Sequence, residues 1–229
     1  EYRITPFNAA TEIFNLSFDP HTLALVNPLP LDPPSWTELG FHQCHHCPLR
    51  PSESPRCPLA LHLVDIVRRF KDVSSFDKTL LTVISEERVI SQKTTAQRAI
   101  SSLIGLISAA SGCPHTIYFR PMARFHLPLA SEAETIYRAS SMYMLAQYFR
   151  QNADKAPEFN LQGLKRIYAN TGIVNFTIAQ RLRAASDTDS AVNAIVLLDM
   201  FVKTVPYAIE ESLESMRHLF EPYCHDAPC

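Results

Sequence analysis

The chain has 229 residues, 46% of them hydrophobic, and a formal net charge of -2. This length and apolar content suit a folded protein with a core, and the near-neutral charge argues against general binding to nucleic acid. The longest nearly uncharged apolar run, Ala99–Ala110, is shorter than the roughly 20 residues that cross a bilayer, so we expect no membrane contact. Glu1–Ile4 lacks the basic and apolar regions of a secretory signal, so we expect a cytoplasmic protein.

The first elements in the chain are predicted strands. Apolar and polar residues alternate from Glu12 to Phe18, and a second apolar run, Leu23–Val26, follows after Asp19-Pro20. Because Asp followed by Pro suits the first two positions of a type I turn, we predict a hairpin, with Tyr2–Pro6 as a third strand. The proline-rich residues 28–34 predict an extended tether.

Two helices flank a second predicted hairpin. Proline at the first helical position and apolar residues at helical spacing predict a helix from Cys57 to Phe70. Thr79–Ser85 and Arg88–Gln92 are predicted strands, and Thr95–Ser111 is a predicted helix. Gly112 suits the left-handed conformation that ends such a helix.

The second half of the chain is predicted to be helical. Ser131 and Glu134 form a capping box for a helix that reaches about Arg150. A further helix runs from Leu161 to about Ala185, with a kink or break at Gly172. Additional signals are the cap Ser186 with Asp189 for a helix Ala191–Lys203, and a last helix marked by Ile209, Leu213, Met216 and Phe220.

The order of these elements predicts an α+β fold, with small antiparallel β elements followed by a mainly helical bundle. We divide the chain into a β region and tether (1–35), a cysteine region (36–130), a helical bundle (131–221) and a tail (222–229). Together they are expected to form one compact domain.

Four cysteines carry the main functional signal. Cys44 and Cys47 form a C-x-x-C pair, while Cys57 and Cys113 follow downstream. Thiolates are preferred ligands of zinc and of iron–sulfur clusters, and a reducing compartment disfavours disulfides. The set therefore predicts Zn²⁺ or, alternatively, a 4Fe–4S cluster; the plainer alternative is that they are buried cysteines that pack as small apolar residues.

Helix lengths allow the distant cysteine to join the others. The two predicted helices before Cys113 would extend roughly 20 and 25 Å, so antiparallel packing would return Cys113 to the side of Cys57. The helix dipole would stabilise a thiolate at Cys57, whereas Cys113 follows a negative helix end. We therefore expect Cys113 to be a ligand and not a free nucleophile.

A second group of candidate residues is basic. It is a possible binding site for an anionic small molecule and comprises Arg98, His115, Arg120, Arg124 and His126. The alternative is a structural role in ion pairs or as counter-charges for the metal site.

Other cysteines and histidines have weaker signals. His42, His45 and His46 share the first cysteine loop, where one could replace a thiol ligand, although an exposed polar loop is the simpler interpretation. Cys224, His225 and Cys229 could form a weaker metal site, and we expect a peripheral tail instead.

Several motifs resemble those of a bacterial family of uncharacterised proteins. They are HQCHHCPL (His42–Leu49), CPLA (Cys57–Ala60), TTAQRA (Thr94–Ala99), SGCPHT (Ser111–Thr116) and FRPMARFHLP (Phe119–Pro128). The resemblance spans most of the chain. It implies an intracellular bacterial protein and implies no activity.

The leading hypothesis is an intracellular protein in which a four-cysteine metal centre has a structural, regulatory or redox role. One alternative is an enzyme that acts on an anionic small molecule through the Arg/His cluster. The other is a helical module that docks a protein partner, with an exposed apolar patch as its signature.

Overall fold

The N-terminal part of the chain forms a four-stranded antiparallel sheet in the computed structural model, which describes residues 1–7, 10–185, 192 and 213–224. The strands are β1 (Tyr2–Pro6), β2 (Glu12–Phe14), β3 (Lys78–Ile84) and β4 (Val89–Thr95), in the order β2-β1-β3-β4. Helices make up most of the remaining regular structure. The predicted α+β fold is confirmed.

The first predicted hairpin is confirmed next to its turn only. The Asp19 N–H donates to the Ala24 carbonyl at 2.9 Å and the Val26 N–H to the Ser17 carbonyl at 3.0 Å, around an antiparallel bridge between Phe18 and Leu25. The turn forms because the Asp19 carboxylate accepts hydrogen bonds from the backbone of residues 21 and 22. The start of the first arm is instead the short strand β2, which pairs with β1, and the Leu25 N–H of the second arm donates to the Ala110 carbonyl at 3.0 Å.

One face of the sheet is covered by helix α2 (Ala96–Ala110), which follows directly from β4. Alternation along β1 turns Tyr2 and Ile4 into this core, where both are almost fully buried. Helix α1 (Pro58–Arg69) packs against α2. Both helices begin and end within one residue of their predicted bounds, and Gly112 has the predicted left-handed conformation, with a φ of 87°.

The remaining helices form the second half of the described structure. They are α3 (Arg120–Arg124), α4 (Glu132–Asn152) and α5 (Gln162–Ala185), with 3-10 turns at Ser35–Thr37, Ile117–Phe119 and Arg217–Phe220 and a short helix at Glu221–Cys224. The capping box of Ser131 and Glu134 is confirmed at the start of α4. Helix α5 continues through Gly172 as one element, so the chain is not broken there.

Part of the predicted C-terminal structure lies outside the described residues: the cap Ser186 with Asp189, the helix Ala191–Lys203 except for Val192, and Ile209. Leu213 and Met216 lie in helical residues 213–216. Helix α5 contacts α4, α1 and the 3-10 turn at Ser35–Thr37. It therefore lies beside the loop that carries the first cysteines.

Candidate metal centre

Cys57 and Cys113 meet at the start of α1. Cys57 is the N-cap of that helix, and its backbone N–H donates to the Thr37 carbonyl at 2.8 Å. Gly112 reaches the same place after α2, since a Cβ built on it would stand 3.9 Å from the Cβ of Pro58. The return of the chain between the two helices thus brings residue 113 beside residue 57, although 55 residues separate them.

The C-x-x-C pair forms a tight turn next to this point. The Cys47 N–H donates to the Cys44 carbonyl at 2.9 Å. Cys113 is a buried member of the main core, and half-buried Cys44 and Cys57 pack against that core. The turn therefore brings the backbones of Cys44 and Cys47 close together, with Cys44 against the core.

His46 and His115 form the contact between the cysteine loop and the segment after Cys113. The rings of His46 and His115 stack with centroids 3.8 Å apart and an interplanar angle of 6°. The His115 Nε2 donates to the His46 carbonyl at 3.0 Å, and the His46 Nε2 donates to the Asn170 carbonyl at 3.1 Å. Burial lowers the pKa of His46, which favours the neutral ring in this stack. His42 and His45 are exposed.

The thiols act on one another electrostatically. The pKa of Cys44 is raised to about 11, chiefly by burial; a hydrogen bond with the Thr177 side chain lowers it, and the nearby cysteines 57, 113 and 47 raise it. Burial also raises the pKa of Cys57, although backbone N–H groups of the first turn of α1 and the charge of Arg181 act in the opposite direction. The expected helix-end stabilisation of this thiolate is present but is outweighed by desolvation.

These thiols share a neighbourhood without forming a coordination sphere. Among the residues that the structure describes, no three His, Cys, Asp or Glu side chains are arranged so that they could hold a metal ion. The raised pKa values of Cys44 and Cys57 favour the protonated thiols at neutral pH, and metal binding requires the loss of such protons.

Arg181 is the functional candidate that the sequence-based interpretation missed. Its side chain, on α5, is only 1% exposed. Its guanidinium donates to the carbonyls of Trp36 and Glu38 at 2.7 Å each, and to the Leu39 carbonyl at 3.0 Å. It therefore fixes the backbone that leads into the cysteine loop.

The Arg181 guanidinium interacts electrostatically with three of the thiols. Burial lowers its pKa, while Cys57, Cys44 and Cys47, in that order, raise it. No described carboxylate forms an ion pair with it, and its buried Nε has no described hydrogen-bond partner. The sequence signal was an arginine three residues after Ile178 and seven after Val174, on the apolar face of α5.

The predicted Arg/His set is divided among different places. His115 belongs to the cysteine loop contact described above, while Arg98 and His126 line a separate cavity beside α2. Arg120 is half-buried with an unpaired Nε among the described residues, and Arg124 is exposed with its guanidinium 5.9 Å from the centre of the Phe125 ring. No described ion pair involves either arginine.

The structure describes the predicted tail only in part. Cys224 is exposed in the short helix near the C-terminus, whereas His225 and Cys229 lie outside the described residues.

Helix α4 has exposed large apolar side chains, namely Tyr137, Met144, Leu145, Tyr148 and Phe149. A helical docking module stays a prediction.

The chain belongs to a family described as a domain of unknown function, DUF6901, whose model matches residues 1–221. No curated protein and no solved structure matches the chain. None of the helices in the described ranges is long and apolar enough to cross a membrane.

Proposed function

We propose that this protein binds one metal centre through Cys44, Cys47, Cys57 and Cys113, with Zn²⁺ as the bound metal and a 4Fe–4S cluster as the alternative. The observation that carries the proposal is the meeting of three remote segments, each with a cysteine, at the N-terminal end of α1. Four thiols in one neighbourhood match the donor set that both centres require.

The charge of Arg181 fits such a centre. Four thiolates around one Zn²⁺ leave a net charge of roughly -2, which is expensive to bury without a nearby cation. Arg181 is a buried cation that acts on three of the four thiols and has no described carboxylate partner. It would offset about half of the charge that the bound centre introduces.

Binding requires the side chains to rearrange locally. Because no three described ligands are already arranged for a metal, the thiols must lose their protons and turn toward a common point. The tight turn of the C-x-x-C pair and the half-buried position of Cys44 and Cys47 allow this without unfolding the core. Metal affinity should therefore rise with pH as thiol protons are released.

The proposed role is to fasten the N-terminal cysteine loop to the helical half of the chain. A zinc centre would do this as a closed structural site, whereas a cluster would add redox sensing or electron transfer. Either centre requires reduced thiols, in keeping with the cytoplasmic location expected from the sequence.

The test is metal analysis of protein purified without oxygen, together with its visible absorption spectrum. Colourless protein with one equivalent of zinc would support the structural site, and brown protein with iron and sulfide would support the cluster. Wild-type protein that retains neither zinc nor iron would overturn the proposal.

Serine variants test the ligand assignment. Cys57→Ser and Cys113→Ser should each lose the metal, whereas the matched control Cys224→Ser replaces an exposed cysteine away from the site and should keep it. Because Cys113 is buried, circular dichroism should confirm that each variant is folded. Cys44→Ser and Cys47→Ser, at half-exposed positions, provide the same test with less risk to the core. Full metal occupancy in the folded Cys57 and Cys113 variants would refute the assignment.

A further inference from the structure

A cavity of about 300 Å³ lies among α2, α3, α4 and α5, separate from the cysteine loop. Much of its wall is apolar, with Leu106, Phe119, Met122 and Leu129 among its lining residues. A volume near 300 Å³ is at the small end of ligand-binding cavities in proteins. The site is thus large enough for a small molecule with an apolar body.

Small side chains on α2 make room for this cavity. Ser101, Gly105 and Ser108 follow at intervals of four and three residues, so they lie on one face of the helix, and all three line the cavity. Larger residues at these positions would fill the space. The other faces of α2 are occupied by the sheet and by α1.

The charged groups of the lining are all basic. Arg98 is exposed and has no ion-pair partner among the described residues. Arg138 is half-buried and donates to the Met122 and Phe125 carbonyls, both at 2.8 Å. No Asp or Glu is among the described lining residues. Glu134, outside the lining, interacts with Arg138, so that two arginine charges face one nearby carboxylate and the net positive charge favours an anion.

A neutral polar network adjoins the cavity, because Ser102 and His126 are in the lining and both contact buried Tyr2. The Tyr2 hydroxyl contacts the His126 Nε2 and lies 3.2 Å from the Ser102 Oγ. Burial and the charge of Arg138 lower the pKa of His126 to about 4, so its ring is uncharged at neutral pH. This network can form hydrogen bonds with a ligand and adds no positive charge to that of the two arginines.

The volume limits the size of the ligand. A cavity of roughly 150 Å³ holds benzene, so twice that volume accommodates about a dozen non-hydrogen atoms. We infer that this cavity binds a small amphipathic anion, with a carboxylate or phosphate head near Arg98 and Arg138 and an apolar tail against Phe119 and Met122. This inference does not depend on the metal centre.

The experiment is calorimetric titration of the full-length protein, as purified, with octanoate, octyl phosphate, octanol and octylamine. Each probe has an unbranched chain of eight carbons, so differences among them report mainly on the head. We expect octanoate, octyl phosphate or both to bind at least tenfold more tightly than octanol, and octylamine to bind most weakly. The tighter of the two anions identifies the head chemistry. Equal affinity for the anions and octanol, or no binding of either anion, would overturn the inference.

Three variants locate the binding site. Arg98→Gln should weaken anion binding at least fivefold and leave octanol binding unchanged, whereas Lys93→Gln removes the same charge from exposed β4 outside the cavity and should have no effect. Ser101→Leu should fill the cavity and reduce the binding of all four probes. Because Ser101 is buried, its variant should first be shown to unfold cooperatively. Unchanged anion binding in the folded Ser101→Leu variant would place the anion elsewhere and refute the inference.

Discussion

Replacing Arg181 by methionine should destabilise the protein strongly, even though methionine suits a helix. The change removes three hydrogen bonds from a charged donor and leaves the carbonyls of Trp36, Glu38 and Leu39 without that partner. Hydrogen bonds to charged groups contribute about 1.5–3 kcal/mol each, and such contributions are not additive. We therefore expect a loss of about 4 kcal/mol in the free energy of unfolding.

The measurement is urea unfolding followed by circular dichroism. With an m-value of about 2–3 kcal/mol/M, this loss lowers the midpoint by roughly 1.5–2 M. Arg183→Met is the matched control, because Arg183 is exposed on the same helix two residues later, and its replacement should shift the midpoint by less than about 0.3 M. Equal midpoints for the two variants would refute the conclusion that a buried guanidinium holds this loop.

A further variant at position 181 separates the hydrogen bonds of Arg181 from its charge. Arg181→Lys keeps the cation but loses the planar fork, so it should recover only part of the stability. If the cation offsets the charge of a thiolate centre, Arg181→Lys should retain more metal than Arg181→Met. Equal metal retention in the two folded variants would contradict the electrostatic role.

Three further predictions concern single positions. The pKa of His126 is about 4 in the folded chain against 6.5 when unfolded, so the unfolded chain binds more protons in this range and stability falls as the pH falls from about 7 toward 4. The loss is about 1.4 kcal/mol at pH 5.5. In urea titrations His126→Gln should remove this part of the pH dependence, and an unchanged slope of unfolding free energy against pH would contradict the prediction. Gly112→Ala should reduce the free energy of unfolding by about 1–2 kcal/mol because of the left-handed φ and not because of a clash. The control Gly40→Ala has no heavy atom within 4 Å of the added Cβ and no positive φ, so it should be close to neutral in the same assay. Ser131→Ala should lower the thermal midpoint through a loss of about 1 kcal/mol, because Ser131 and Glu134 hydrogen-bond each other's backbone N–H groups, and an unchanged midpoint would show that the capping box contributes little.

Local signals in the sequence were sufficient for many of the helix bounds. Proline after Cys57, glycine after Ser111 and the capping box of Ser131 each act through atoms within a few residues, so the local sequence determines their effect. The first hairpin was predicted only in part, because strand pairing also depends on partners distant in sequence. Strand β1 pairs with the start of the first arm, and the end of α2 accepts a hydrogen bond from the second arm; periodicity reveals neither partner.

For the candidate sites too, the residue types follow from the sequence, whereas their positions depend on the tertiary structure. The proposal that the four cysteines are a soft donor set comes from the sequence alone, since ligand preference depends on residue chemistry. Only the tertiary structure decided that buried Arg181 lies among the thiols, that His115 stacks on His46, and that Arg98 and His126 line a cavity instead. Which side chains are buried, and which groups a charged side chain faces, depends on elements separated by as many as 145 residues in the chain. A local sequence pattern does not contain that information.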